Sequence, residues 1–283
     1  MEDLFRQIEN APERGFTHGS KFHSDDVFAT AFLRILNPDI QVQRGLEVPK
    51  EFDGIVYDIG RGKFDHHQED REIRENGCPY AAFGLIWREY GAAYIGQEEA
   101  ERFDQDFVQA LDLTDNTGCA NQLADIIDEF NPVWDSEESY DDCFWNAVDF
   151  AEQILRNHFQ AVAGVYRAGK LVRQAMAECD GNILVLPKYV PWKREVIGSS
   201  YQLVVYPSNR GGYSVQGVPA SHGNDNELVC SLPKEWWGKD AADLPEISGI
   251  ATLRFCHATG FMAAADTRED AVLAAEAALA EKG

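Results

Sequence analysis

The run Thr17-His18-Gly19-Ser20-Lys21-Phe22-His23-Ser24-Asp25-Asp26 and the triplet Asp65-His66-His67 hold four of the chain's seven histidines, each beside carboxylates. Imidazole and carboxylate without thiolate form a ligand inventory for Mn²⁺, Zn²⁺ or Fe²⁺ rather than for a structural cysteine-zinc site. Two ions a few ångströms apart need about six such ligands and usually one bridging carboxylate. Asp58, closing the apolar run Ile55-Val56-Tyr57, is the natural bridge. One more carboxylate must come from later in the chain. Asp112, Asp115 and Asp125 qualify, and Asp115, ahead of Asn116-Thr117-Gly118 at what reads as a helix end, is preferred. Asp65 suits a role orienting an imidazole. Asp26 reads as a first-turn helix residue stabilised by the dipole and stays outside the ligand set.

Gly15-Phe16-Thr17 reads as the end of a short strand. Ser24 reads as the N-cap of a helix running to Leu36, with Asp25 and Asp26 at its positive end. Ile55 to Gly60 reads as a buried parallel strand with Asp58 at its C-terminal end, and residues 80–90, 98–113 and stretches between Tyr140 and Glu178 as helices. This alternation predicts an α/β domain over residues 1–180, doubly wound around a mostly parallel sheet, with its ligands in loops after strands. Beyond Cys179-Asp180-Gly181 the texture changes. Residues 183–186, 201–206, 213–218 and 251–256 read as strands, and a final helix starts at Thr267 with Asp270 three residues on. A smaller α+β domain over residues 181–283 is expected.

The 283 residues are 45% hydrophobic, enough for a sizeable core. There is no apolar run of bilayer-spanning length, and Met1 to Arg6 lacks a basic-then-apolar leader, so a cytoplasmic protein without membrane attachment is expected. The six cysteines show no Cys-x-x-Cys spacing and read as reduced thiols. Net charge is 25 − 48 = −23, which opposes long-range attraction of a polyanion. Residues 181–283 carry 9 Lys/Arg against 12 Asp/Glu, so residues 1–180 hold −20 of that total, part of which bound divalent ions would neutralise.

His18-x4-His23-x-Asp25, the apolar strand ending in Asp58, and Asp65-His66-His67 together resemble the DHH phosphoesterase superfamily, and within it the MYG1-like (UPF0160) branch. Tyr80 to Trp87, Val190 to Lys193, Tyr213 to Pro219, Leu232 to Gly238 and Phe255 to Phe261 resemble segments of that family in the same order. The resemblance implies a DHH-type fold and a phosphoester hydrolase, usually Mn²⁺-dependent, with 3′-to-5′ exonuclease activity on RNA or DNA; Mg²⁺, Zn²⁺ or Fe²⁺ are alternatives to Mn²⁺. It implies one ion on His18, His23 and Asp58, and a second on Asp25, Asp58, His66 and Asp115. It places His67, with Asp65 beside it, at the phosphate and leaving group. His257, with Arg254 and Gly260 near it, is implied at the substrate phosphate, and a homodimer is a further expectation. This chain has Asp115-Asn116-Thr117-Gly118 where the family usually reads Asp-Asn-Gly. The segment between Asn131 and Asp142 is acidic, and no functional residue is taken from it.

Each assignment has a plainer counterpart. His257 is as readily a hydrogen-bonded loop histidine, and Lys193, Arg194 and Arg210 a solvated face. Trp192, Trp236, Trp237, Tyr206 and Tyr213 suit base stacking but more often pack a core. His158 and His222 read as structural. Three functions compete: a two-metal exonuclease, a hydrolase of pyrophosphate, a nucleotide or a cyclic dinucleotide, and a non-catalytic metal-binding protein.

Overall fold

The computed structural model describes residues 4–282, so Met1 to Asp3, the start of the segment read for a leader, lie outside the described residues. These divide into two compact units, one ending at Gln160 and the other beginning at Ala161. The architecture is mixed α/β. No helix among the described residues is long and apolar enough to cross a membrane, and all six cysteines are free.

The first unit begins with β1 (Arg14–His18), α1 (Ser24–Leu36), β2 (Gln41–Gly45) and β3 (Ile55–Val56). The three strands are parallel in the order β2-β1-β3. Parallel neighbours end on the same edge, so His18, the last residue of the central strand, and Asp58, just past β3, emerge side by side. β3 is only two residues long; a single parallel bridge between Tyr57 and Phe64 continues it toward the Asp-His-His triplet. β2 has one aliphatic side chain, Val42, and edge placement tolerates that polar composition.

α1 starts one residue earlier than the Ser24 cap implies. His23 is the N-cap, in extended conformation, and its N–H donates to Asp26 Oδ1 at 2.9 Å. Asp26 thus reaches back as the third-position acid of a capping box.

The helical stretch read at 98–113 is three elements. α2 (Ala82–Ile95) is followed by α3 (Gln97–Phe103), a π-helical turn over Asp104–Val108, and α4 (Gln109–Thr117). A π turn inserts a residue and shifts the phase of the helix beyond it. Here it lets Asp104 and Asp112 both reach Arg74, whose guanidinium lies 2.6 Å from Asp104 Oδ1 and 2.7 Å from Asp112 Oδ2. Asp112 is fully buried, and its other oxygen accepts from Gly84 N–H at 3.1 Å. A Cβ on Gly84 would fall 1.8 Å from Asp112 Oδ2, so only glycine fits there. Gly118, left-handed at φ 67°, caps α4 and leaves Asp115 in its last turn.

α5 (Gln122–Asp128) and α6 (Tyr140–Glu178) complete the helices of this region. Phe144, Ala147, Val148, Ala151, Leu155 and Phe159 of α6 recur at helical spacing and close a core with Phe28, Phe32, Phe83 and Trp87.

In the second unit come β4 (Ile183–Val185), α7 (Lys193–Val196), β5 (Leu203–Pro207), β6 (Tyr213–Gly217), β7 (Pro219–Ser221), β8 (Asn224–Leu228), α8 (Leu244–Ser248), β9 (Leu253–Cys256), β10 (Met262–Ala265) and α9 (Arg268–Lys282). Five strands form one sheet in the order β4-β5-β6-β10-β9, and β7 and β8 form a separate pair. β5 alternates by period two: Leu203 and Val205 join the core that includes α9, while Val204 and Tyr206 join the core that includes Ala168, Val172 and Ala175. Thr267 caps α9, accepting from Asp270 N–H at 3.1 Å. The aromatics considered for stacking divide here: Trp192, Trp236 and Tyr206 are buried core residues. His158 packs its ring 4.8 Å from Phe103.

Candidate metal centre

A cleft of about 1160 Å³ in the first unit is lined by His18, His23, Asp58, Asp65, His66, His67 and Asp115, together with Lys21, Arg61 and Arg71. Asp25 and Asp26 are fully buried. Asp58 sits between two sets of donors. Its Oδ2 lies 3.1 Å from His18 Nε2, and its Oδ1 lies 3.1 Å from His66 Nε2 and 3.6 Å from His67 Nδ1. His66 Nε2 is also 3.1 Å from Asp115 Oδ2 and 3.6 Å from Asp25 Oδ2.

The three 3.1 Å separations fit a shared cation, and the two of 3.6 Å lie slightly beyond that range. Two donors each about 2.1 Å from one ion lie ~3.0 Å apart at an octahedral angle and ~3.4 Å apart at a tetrahedral one. Two buried oxygens, Asp25 Oδ1 and Asp26 Oδ2, accept no hydrogen bond, which leaves them open to a cation. Three ligand groups form within the cleft: Asp58, His66 and His67; His18, Asp26 and Asp58; His23, Asp25 and Asp115. The geometry thus groups His23 with Asp25 and Asp115, where the resemblance implied His18 and Asp58. It also brings in Asp26, which the sequence left as a capping residue.

Backbone conformation helps to aim these groups. Asp58 has φ 55°, a left-handed value that a non-glycine residue seldom adopts, and its N–H donates to Phe64 O at 3.0 Å. Gly19 N–H donates to Gly45 O at 2.8 Å, tying the start of the His18–His23 loop to β2. Arg44 Nη2 donates to Ser20 O at 2.9 Å and holds the middle of that loop. Asn131 bonds both the N–H and the carbonyl of Phe22 at 3.1 and 3.0 Å, fixing its far end.

Asp65 binds within its own turn. One oxygen is 2.7 Å from His67 Nδ1 and the other accepts from Arg61 N–H at 2.6 Å. It therefore orients the His67 imidazole, whose side chain is 61% exposed and faces the cleft.

The electrostatics are those of acids and imidazoles buried close together. Burial pushes Asp25 well above the usual carboxylate range, and the charges of Asp58 and Asp115 add to it. Burial raises Asp26 to about 7 against the pull of His18. Burial would lower His18, but the hydrogen bond to Asp58 and the charges of Asp26 and Asp58 outweigh it and bring the imidazole to about 9. His66 is raised in the same way by Asp58 and Asp115. Burial would also raise Asp58, yet its hydrogen bonds with His18 and His66 hold it at about 2. Protons on these groups stand where divalent charge would go.

A family model matches residues 16–279, that of an uncharacterised protein family, UPF0160. The chain belongs to the UPF0160 family. Among curated relatives, the rat MYG1 exonuclease is 28% identical over 96% of this chain and 86% of its own length. The human MYG1 exonuclease is 27% identical over 96% and 87%, and a Schizosaccharomyces pombe MYG1 protein 27% identical over 93% and 96%. No solved structure matches the chain. The UPF0160 match runs through the loops that carry the candidate ligands and through the second unit.

In that second unit, His257 lies just past β9. Its Nδ1 accepts from Thr259 N–H at 3.2 Å and lies 2.9 Å from Thr259 Oγ1, and its ring packs 4.6 Å from Phe261. Arg254 is engaged by Gly211 O and Asp266, each at 2.6 Å. Gly260 has φ 68°, and a Cβ there would fall 2.1 Å from Trp237 Nε1. The glycine shapes the loop that carries His257.

Proposed function

We propose that this UPF0160 protein is a DHH-type, two-metal phosphodiesterase that shortens RNA or DNA from the 3′ end, with Mn²⁺ as the preferred ion. The observation that carries the reading is Asp58, whose two oxygens face separate His/Asp groups 3.1 Å away on either side. The names of the rat and human relatives support a nucleic-acid substrate. The cleft, about 1160 Å³, exceeds the ~300–1,000 Å³ of a pocket that encloses one small ligand. Arg61 and Arg71 give it cationic groups suited to phosphates, while Lys21 is paired with Asp128 at 2.9 Å.

His18, His23, Asp25, Asp58, His66 and Asp115 are the proposed metal ligands. Bound there, two divalent ions would supply a water activated at neutral pH and would neutralise charge developing on the phosphorus oxygens. Asp65 holds His67 Nδ1 and so orients the ring, whose other nitrogen, when it carries a proton, gives it to the leaving oxygen. His257, with Nδ1 committed to Thr259, offers its remaining ring nitrogen to a phosphate oxygen. Arg254 and Gly260 support that loop.

The net charge of −23 favours a second reading, hydrolysis of a small phosphorylated substrate. One panel separates the two: Mn²⁺-dependent hydrolysis of pyrophosphate, adenosine 3′,5′-bisphosphate, cyclic dinucleotides, dinucleotides and 5′-labelled RNA and DNA 20-mers. Progressive shortening of the labelled strand supports the exonuclease, and turnover of small substrates alone overturns it. Asp58→Ala and His66→Ala are expected to abolish activity; full turnover in either removes the metal assignment.

A further inference from the structure

The geometry points to Asp26 as a metal ligand that completes the site formed by His18 and Asp58. This inference rests on the two-metal reading above and names a residue which the motif resemblance leaves out.

A carboxylate in the first turn of a helix is ordinarily explained by the cap and the dipole. That explanation uses only one of Asp26's oxygens. Oδ1 accepts from His23 N–H at 2.9 Å, while Oδ2 is buried and accepts no hydrogen bond. The residue has no exposed surface, whereas a carboxylate serving only the helix end gains nothing from full burial and loses hydration. Oδ2 lies 3.3 Å from His18 Nε2, and the same nitrogen lies 3.1 Å from Asp58 Oδ2. Both values fall at the ~3.0–3.4 Å expected between adjacent ligands of one ion.

The aim of that oxygen is fixed from behind. Thr30 Oγ1 donates to the Asp26 carbonyl at 2.7 Å and lies 2.6 Å from the hydroxyl of buried Tyr57, the residue before Asp58. The two carboxylates of the proposed site are therefore braced by one buried hydrogen-bonded link. His23, by contrast, is exposed and groups with Asp25 and Asp115. One site then holds His18, Asp26 and Asp58, and the neighbouring one draws on Asp58, His66, Asp25, Asp115 and His23.

The test is Mn²⁺ binding by calorimetry and by the loss of the free-ion EPR signal, on the full chain, comparing wild type with Asp26→Asn and His23→Ala. The amide keeps an oxygen for the His23 N–H, so the helix start survives, and circular dichroism of the metal-free variants checks folding. Asp26→Asn is expected to lose one of two ions, or to bind it roughly tenfold or more weakly, while the other stays near wild-type affinity. Two ions bound by Asp26→Asn at wild-type affinity would overturn the assignment. If that variant does not fold, anomalous scattering from wild-type crystals soaked in Mn²⁺ decides it: an Asp26 oxygen ~2.2 Å from an ion supports the inference, and one in no ion's coordination shell removes it. Absence of any Mn²⁺ binding by wild type would instead overturn the two-metal reading itself.

Discussion

Loss of Arg74 should destabilise the first unit without touching the cleft. Its guanidinium makes a two-point contact with Asp104, at 2.6 and 2.9 Å, reaches Asp112 at 2.7 Å and Pro79 O at 3.0 Å, and lies 3.8 Å from the Tyr80 ring. In Arg74→Met the apolar stem is retained and the charge is not. Asp104 is partly exposed and can turn to water, but Asp112 cannot and keeps little beyond the Gly84 N–H. Breaking a buried pair from one side costs about 3–5 kcal/mol; with the Asp104 part discounted, ~3 kcal/mol is expected at pH 8.

The pH dependence identifies the group responsible. Burial raises Asp112 to about 7 even with Arg74 and the α2 N–H groups pulling it down. Without Arg74 it rises further. A carboxyl whose folded pKa exceeds its unfolded one, about 3.9, takes up a proton on folding; its contribution to stability is full below the unfolded value and is lost as pH rises through the folded one. The deficit of Arg74→Met should therefore shrink between pH 8 and pH 5.5. Opening free energies from native-state hydrogen exchange of amides in α2 and α4 give the readout within the unit. A deficit under ~1 kcal/mol at pH 8 would refute the buried-pair cost, and one unchanged at pH 5.5 would refute the role of Asp112. Because α4 carries Asp115, Mn²⁺ affinity should fall in parallel.

Cation binding should release protons, since His18 is raised to about 9 and Asp26 to about 7 in the metal-free site. Mn²⁺ affinity is accordingly expected to rise from pH 6 to pH 9, with a calorimetric heat that depends on the buffer's ionisation enthalpy; a buffer-independent heat would count against the coupling. Gly260→Ala combines a left-handed φ with an overlap onto the Trp237 indole, so the second unit should lose about 2 kcal/mol or more. Unchanged thermal unfolding would show that the loop relaxes freely.

Much of the site's raw material is local in sequence. His18, Asp58, His66 and His67 come after apolar β-rich runs, and in a parallel sheet the ends of such runs gather at one edge whatever lies between them. The helix from Ser24 to Leu36 is equally legible, because its acidic first turn and apolar spacing repeat over several turns. Tertiary structure decided the rest. Asp26 has one local pattern that serves both a capping acid and a cation ligand, and only its burial, with one oxygen left without a donor, separates them. The π turn at 104–108 has no compositional mark; it is seen only in the folded chain, where Asp104 and Asp112 on either side of its register shift both meet Arg74. β2, with a single aliphatic side chain, became a strand because β1 offered an unpaired edge. The sequence by itself determined which chemical groups could collect, through residue type and period. Only the folded chain decided which oxygen faces which nitrogen, because that depends on backbone angles such as that of Asp58 and on contacts between residues far apart in the chain.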